Sequence, residues 1–362
     1  MIKGHGGNVR DAAEKLDCRI EDIIDMSSNL NPIGWPEGFH DYLKDHLQVI
    51  GSLPEVDAGG ICRKIADRYG LEKKNIIAGN GTTQLIYAIP QALSLSHSLI
   101  LAPTYSDYGD ALSMYERPFG LFFATEDNGF RPDMEALSLV AQKKDAVFIC
   151  NPNNPTGQVI PKEDLTRIVK TCPDTLFVID ESYLPFVPNY QALTFSNAPL
   201  FQNVLVLNSM SKIFRIPGLR TGFLIGHAGI IEKFHRFMTP WSVNSLAHMA
   251  VFYLTDPENG IDAFIKKTIT FVEEERTRFL SRFRHVKNIT FFEGHTPYIL
   301  GKLIGPQKAG PVCDALLSHR ILIRNCTNFK GLSDRFIRVS LKDRDTNTKL
   351  ADKLIQILGV NG

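Results

Sequence analysis

The stretch NSMSKIFRIPGLRTGF, residues 208–223, follows the apolar run VLVL and leads into the apolar run GFLIG. Runs that are short, apolar and mostly not alternating read as strands buried on both faces. Between the two stands Lys212, with Ser209 and Ser211 beside it and a second cation, Arg220, eight residues on. An ordinary surface lysine needs no such neighbours. The strand before it ends in polar residues, and ligands bind beyond the carboxyl ends of strands in open parallel sheets.

Outward from this stretch a rhythm appears. NIIAG, SLILAP, FGLFFAT, DAVFIC and LFVID read as strands, and GGICRKIADRYG, TQLIYAIPQAL, SDYGDALSMY, DMEALSLVAQ and EDLTRIVKTC read as helices. This alternation predicts an α/β fold, a large domain with a mostly parallel seven-stranded sheet covered by helices. After about Thr239 two long helices follow, then strands at ITFFE, YILGKLI, ILIRN and FIRVSL, which read as a smaller α+β domain. The expected division is an arm over 1–35, a large domain over 36–240 and a small domain over 241–362. The 40 basic and 39 acidic residues nearly cancel, which argues against nucleic acid or an anionic membrane held by net charge. No apolar run nears the ~20 residues of a membrane helix, and the charged first twenty residues lack a secretory pattern. The six cysteines form no C-x-x-C pair, as expected for free thiols in a reducing cytoplasm. No metal-ligand set is expected.

Three further motifs fall after strands: GNGTTQ (79–84), NPNNPTG (151–157) and Asp180-Glu181-Ser182-Tyr183. Each alone has a plain structural reading, as a glycine turn, a rigid proline loop or a helix cap. The GxG lacks the third glycine of a dinucleotide fingerprint, and no G-K-[ST] follows it. Together with Lys212 they match the needs of pyridoxal phosphate. That cofactor takes a lysine for its aldehyde and an acid for its pyridine nitrogen. It also needs a donor to its ring hydroxyl and a phosphate cup. Lys212 and Asp180 meet the first two needs. Asn154 and Tyr183 are both candidates for the third. Gly81, Thr82, Thr83, Ser209, Ser211 and Arg220 are candidates for the cup, with the helix N-terminus after Gly81 adding free N–H groups.

The order G-N-G-T-T, P-T-Y, N-P-N-N-P-T-G, D-E-S-Y, S-x-S-K and G-L-R-x-G resembles the fold-type-I aminotransferases over essentially the whole chain. More narrowly it resembles the branch holding the histidinol-phosphate aminotransferases and the threonine-phosphate decarboxylases. HGGNVRDAA (5–13), SSNLNPIG (27–34), PWSVN (240–244) and RILIRNCTNFKGL (320–332) with RFIRV (335–339) resemble the decarboxylases. The resemblance implies a homodimer with shared active sites and Tyr105 stacked on the cofactor ring. It implies that His5, Gly6, Asn29, Arg324 and Arg338, with Asn154, hold a phosphorylated amino acid. Arg324 ends one apolar strand and Arg338 lies inside another. Their planar forks suit carboxylate and phosphate alike. Where the branch has Arg-Tyr-Pro, with a tyrosine reaching the neighbouring subunit's cofactor phosphate, this chain has Ser52-Leu53-Pro54.

Lys212 is expected to bind the aldehyde, yield it to the substrate amine and then move protons, with Asp180 and Tyr183 beside it. In a transaminase the bond broken is Cα–H; in a decarboxylase it is Cα–COO⁻. The bond held perpendicular to the ring plane breaks, so the choice rests on where the cations pin the anions. The expected reaction is decarboxylation of L-threonine O-3-phosphate to (R)-1-aminopropan-2-yl phosphate and CO2, which by resemblance serves the aminopropanol linker of cobalamin. Transamination of histidinol phosphate and decarboxylation of L-serine O-phosphate stay open, as does a non-catalytic cofactor-binding protein.

Overall fold

The computed structural model describes residues 6–359. Its strands are β1 (Ile24–Asp25), β2 (Ile76–Asn80), β3 (Ser98–Ala102), β4 (Phe119–Phe123), β5 (Ala146–Cys150), β6 (Leu176–Asp180) and β7 (Val204–Ser209). They continue with β8 (Thr221–Gly226), β9 (Ile289–Phe291), β10 (Tyr298–Leu303), β11 (Ile321–Leu322), β12 (Arg324–Asn325) and β13 (Phe336–Ser340). Seven of them form one sheet in the order β2-β8-β7-β6-β5-β3-β4. All its pairings are parallel except those of β8, which runs antiparallel to β7 and β2. No long helix separates β7 from β8, so the chain turns back instead of crossing over.

The sheet is buried on both faces, as its unbroken apolar runs require. Val147, Ile149, Phe177, Ile179 and Val206 pack into one core cluster. Phe148, Val178, Leu205 and Leu207 point the other way into a second. Strand periodicity sends alternate side chains to opposite faces, so each run feeds both clusters.

A four-stranded antiparallel sheet, β12-β13-β10-β9, forms the C-terminal part. ILIRN, read as one strand, is two. β11 pairs in parallel with β1, whereas β12 pairs antiparallel with β13. The break at Ile323 lets one segment serve two sheets and carries Arg324 toward the segment after β1. Helix Ser245–Thr255 packs on helix Gly59–Tyr69, which the sequence rhythm did not signal. Pro90 lies inside helix Gly81–Ala92, as read from the sequence. No helix among the described residues is long and apolar enough to cross a membrane.

Candidate active site

Asp180 closes β6 and Ser209 closes β7, so the sheet delivers them side by side. The chain then turns through Lys212 to Arg220 before β8 begins. Gly81 opens the helix after β2 with φ +75°, and a Cβ there would lie 2.6 Å from the Arg220 guanidinium. A Cβ on Gly222 would lie 2.4 Å from the Thr82 amide nitrogen. Only glycine allows β8, Arg220 and this helix N-terminus to come so close. Arg220 itself is left-handed, at φ +56°, a conformation that costs a non-glycine residue about 1–2 kcal/mol. Its guanidinium contacts Thr83 Oγ1 and the Pro217 carbonyl, both at 3.4 Å, and among the described residues no carboxylate pairs with it. Thr82, Thr83, Ser209, Ser211 and Arg220 line one cavity of about 140 Å³, together with Lys212, Asp180 and Tyr105.

Lys212 stands where this cavity meets a second, of about 200 Å³; both also share Tyr105, Asn154 and Tyr183. Burial, then the cations Arg220 and Arg338, pulls the lysine pKa down to about 8. Asp180 is buried, and it accepts hydrogen bonds from the Ser182 amide (2.9 Å) and the Tyr108 hydroxyl (2.7 Å). Burial pushes its pKa up, against the pull of Ser182, Tyr108 and Lys212. Both donors are neutral, and among the described residues no ion pair compensates the carboxylate. A buried acid of this kind requires a cation, and a protonated pyridine nitrogen supplies one. A basic lysine, an acid awaiting a cation and an unpaired arginine at a helix N-terminus all fit pyridoxal phosphate.

The larger cavity is lined by Gly6, Asn29, Arg324 and Arg338. Asn29 Nδ2 donates to the Tyr183 hydroxyl at 3.1 Å, and its Oδ1 accepts from Ser340 Oγ at 2.7 Å. Arg338 is buried; Nη2 donates to the Ser27 carbonyl at 2.7 Å and Nη1 to Asn154 Oδ1. Arg324 and Arg338 are direct cross-strand partners on β12 and β13. His5 lies outside the described residues.

Of the asparagines in NPNNPTG, Asn151 and Asn153 are engaged within the scaffold. Asn151 bridges to Ile160, and Asn153 to Pro103, Thr104 and Thr156. Asn154 alone of the three lines the cavities. Two residues escaped the sequence reading. Tyr108, three after Tyr105, holds Asp180. Asp25 accepts from the amides and hydroxyls of both Ser27 and Ser28, fixing the loop that carries Asn29. The D-x-S-S spacing, an Asx-type turn, was the available signal for the second. A larger cleft, about 410 Å³, lies between Arg68, Glu181 and Asp262. Arg68 is paired with Asp262 at 2.9 Å, and Glu181, pushed up to about 7 by burial, accepts from Phe195, Thr194 and Ser196. Each of these charged groups already has its own partners, so the smaller cavities around Lys212 are the candidate site.

Known proteins share this fold and part of this sequence. The chain is 31% identical to the adenosylcobalamin biosynthesis bifunctional protein CobDQ of Leptospira interrogans, over 98% of its own length but only 41% of that protein's. It is 30% identical to threonine-phosphate decarboxylase of Salmonella typhimurium, over 98% of this chain and 96% of that one. The crystal structure of histidinol-phosphate aminotransferase from Clostridium acetobutylicum matches with a TM-score of 0.85 at 27% identity, over 92% of this chain and 99% of that one. The family model for aminotransferase class I and II matches residues 48–354. The chain therefore belongs to the aminotransferase class I and II family of pyridoxal-phosphate-dependent enzymes.

Proposed function

We propose that this enzyme decarboxylates L-threonine O-3-phosphate to (R)-1-aminopropan-2-yl phosphate in the making of cobalamin. The observation that carries the reading is the pair Arg324 and Arg338. Like charges directly opposite on neighbouring strands repel, so two arginines facing one cavity favour an anion between them. Histidinol phosphate carries one anionic group; an amino-acid phosphate carries two. Relatives named for threonine-phosphate decarboxylase and cobalamin synthesis support the choice.

Bound pyridoxal phosphate supplies a ring that withdraws the electron pair of the bond broken at the substrate Cα. The proposed roles of the chain's residues follow from their places. Asp180 holds the ring nitrogen's proton, and Tyr105 covers the ring. Asn154 and Tyr183 face the ring hydroxyl. Gly81, Thr82, Thr83, Ser209, Ser211 and Arg220 hold the cofactor phosphate. Gly6, Asn29, Arg324 and Arg338, with His5, hold the substrate anions so that the Cα–COO⁻ bond is the one aligned to break. Lys212 then delivers a proton to that carbon as CO2 leaves.

The test incubates cofactor-loaded enzyme with carboxyl-labelled L-threonine O-phosphate, with and without 2-oxoglutarate. CO2 release without the oxoacid is expected. Amine loss that needs 2-oxoglutarate and releases no CO2 overturns the reading in favour of transamination. L-serine O-phosphate runs in parallel, because one methyl is worth only ~1–3 kcal/mol of discrimination. Arg324→Ala is expected to raise KM at least about tenfold, with cofactor absorption unchanged. Unchanged kinetics remove Arg324 from the site.

For the assembly we propose a homodimer. Ile50, Leu53 and Val56 are 64%, 77% and 58% exposed, an apolar row that a partner subunit would cover. Sedimentation at the monomer mass rejects it. Within the chain we propose the division 1–35, 36–240 and 241–362, with the seven-stranded sheet inside the second part and the four-stranded sheet inside the third. Limited proteolysis that cuts first away from residues near 35 and 240 argues against these boundaries.

A further inference from the structure

We propose that Asn328 and Phe329 are positioning residues that clamp the Arg324 guanidinium for the anionic end of the substrate. The inference rests on the reading of Arg324 given above. Arg324 Nη2 donates to Asn328 Oδ1 at 2.6 Å, and the guanidinium carbon lies 5.3 Å from the centre of the Phe329 ring. One contact holds an edge of the planar group and the other holds a face. Both come from the turn that directly follows β12.

Arg338 is held in the same manner. Its edge meets Asn154 Oδ1 and its guanidinium carbon lies 5.2 Å from the Tyr298 ring. Each of the two facing arginines thus meets an asparagine side-chain oxygen and an aromatic ring, and Arg338 also donates to the Ser27 carbonyl. For Arg338 the holders are buried residues distant in sequence, Asn154 on the cavity wall and Tyr298 in the core. For Arg324 they are local, and the turn is stiffened to carry them. Thr327 donates through N (3.0 Å) and Oγ1 (2.5 Å) to Asn325 Oδ1, and the Phe329 amide donates to the Cys326 carbonyl at 3.0 Å.

The physical need is clear. Arg324 is only partly buried, and without an anion the repulsion from Arg338 favours rotamers that swing it outward. Burial pulls its pKa below the ordinary arginine value, and Arg338 adds to that pull. Binding through a freely rotating arginine loses side-chain entropy. A fork already fixed at an edge and a face avoids that loss and keeps its other N–H groups aimed. Phe329 is buried and lines the substrate cavity, where among the described residues it is the one lining side chain built only of hydrocarbon. Asn328 lines the same cavity and is exposed.

The test uses the full-length, cofactor-loaded enzyme and L-threonine O-phosphate. Asn328→Ala and Phe329→Leu are each expected to raise KM about tenfold with kcat little changed. Phe329→Tyr keeps the ring and is expected to retain the parental KM. In an Arg324→Ala background the first two substitutions should add nothing, since they act through that arginine. Calorimetry with inorganic phosphate repeats the comparison without turnover, and unchanged cofactor absorption shows each variant is folded. If Arg324→Ala raises KM but Asn328→Ala and Phe329→Leu do not, the clamp is overturned and the role of Arg324 stands. An undiminished effect in the Arg324→Ala background also overturns it. If Arg324→Ala changes neither KM nor phosphate binding, the substrate reading of Arg324 falls, and the clamp with it.

Discussion

Lys212→Ala is expected to lower turnover at least about 10³-fold and to abolish the visible absorption of the lysine-held cofactor. Among the described residues Lys212 is the one lysine lining the two joined cavities, so no other amine there can take over. The lysine pKa, near 8 in the fold against 10.5 for the free side chain, adds a signed prediction. Cofactor capture should quicken as pH rises toward about 8, because the neutral amine is the nucleophile. Between pH 8 and 10.5 the unfolded chain holds a proton that the folded chain has lost. Stability of the cofactor-free protein should therefore rise with pH across that window, as linkage requires. Lys212→Met removes the penalty of a buried charge, so at pH 7 the cofactor-free variant should be more stable by about 1–3 kcal/mol. Denaturant melts measure this. A Met variant that stays active, or a cofactor-free variant no more stable than its parent, contradicts the account of this residue.

Asp180→Asn should be nearly as damaging, for the opposite charge. The amide keeps the carboxylate's shape but has no negative charge to hold a proton on the ring nitrogen. Turnover is expected to fall about 10³-fold, the scale of removing one preorganised electrostatic partner, and the cofactor should leave faster on gel filtration. The cofactor-free variant should melt no lower than its parent. Its buried carboxylate has only the neutral donors Ser182 N and Tyr108, so neutralising it removes a desolvation penalty. Full turnover in Asp180→Asn excludes the assigned role. A large loss of stability without cofactor points to a structural cation partner for Asp180 instead.

The fold and the cofactor half of the candidate site were legible in the sequence because their signals are local. Apolar runs buried on both faces must be inner strands, and the polar residue ending each run must lie at the sheet's carboxyl edge. Asp180 and Ser209 end their strands, and Ser211 and Lys212 follow within a few residues, so knowing the sheet places them. Asp25 had a local signal in D-x-S-S, whereas Tyr108 went unread because its partner is decided by which helix the sheet brings near. The two roles inside NPNNPTG were hidden for the same reason: Asn153 turns to Pro103 and Thr104, some fifty positions away, and Asn154 turns to Arg338.

The substrate half depends more on tertiary structure. Resemblance pointed to Arg324 and Arg338, but their facing register, the split of ILIRN into β11 and β12, and the holding contacts of Asn328 and Phe329 exist only once β12 lies beside β13. By itself the sequence determined the layered α/β fold and the family, and it singled out the lysine and acid proposed for the cofactor. Tertiary structure decided that two like charges share one cavity wall, because strand register is a property of paired segments and neither segment carries it alone.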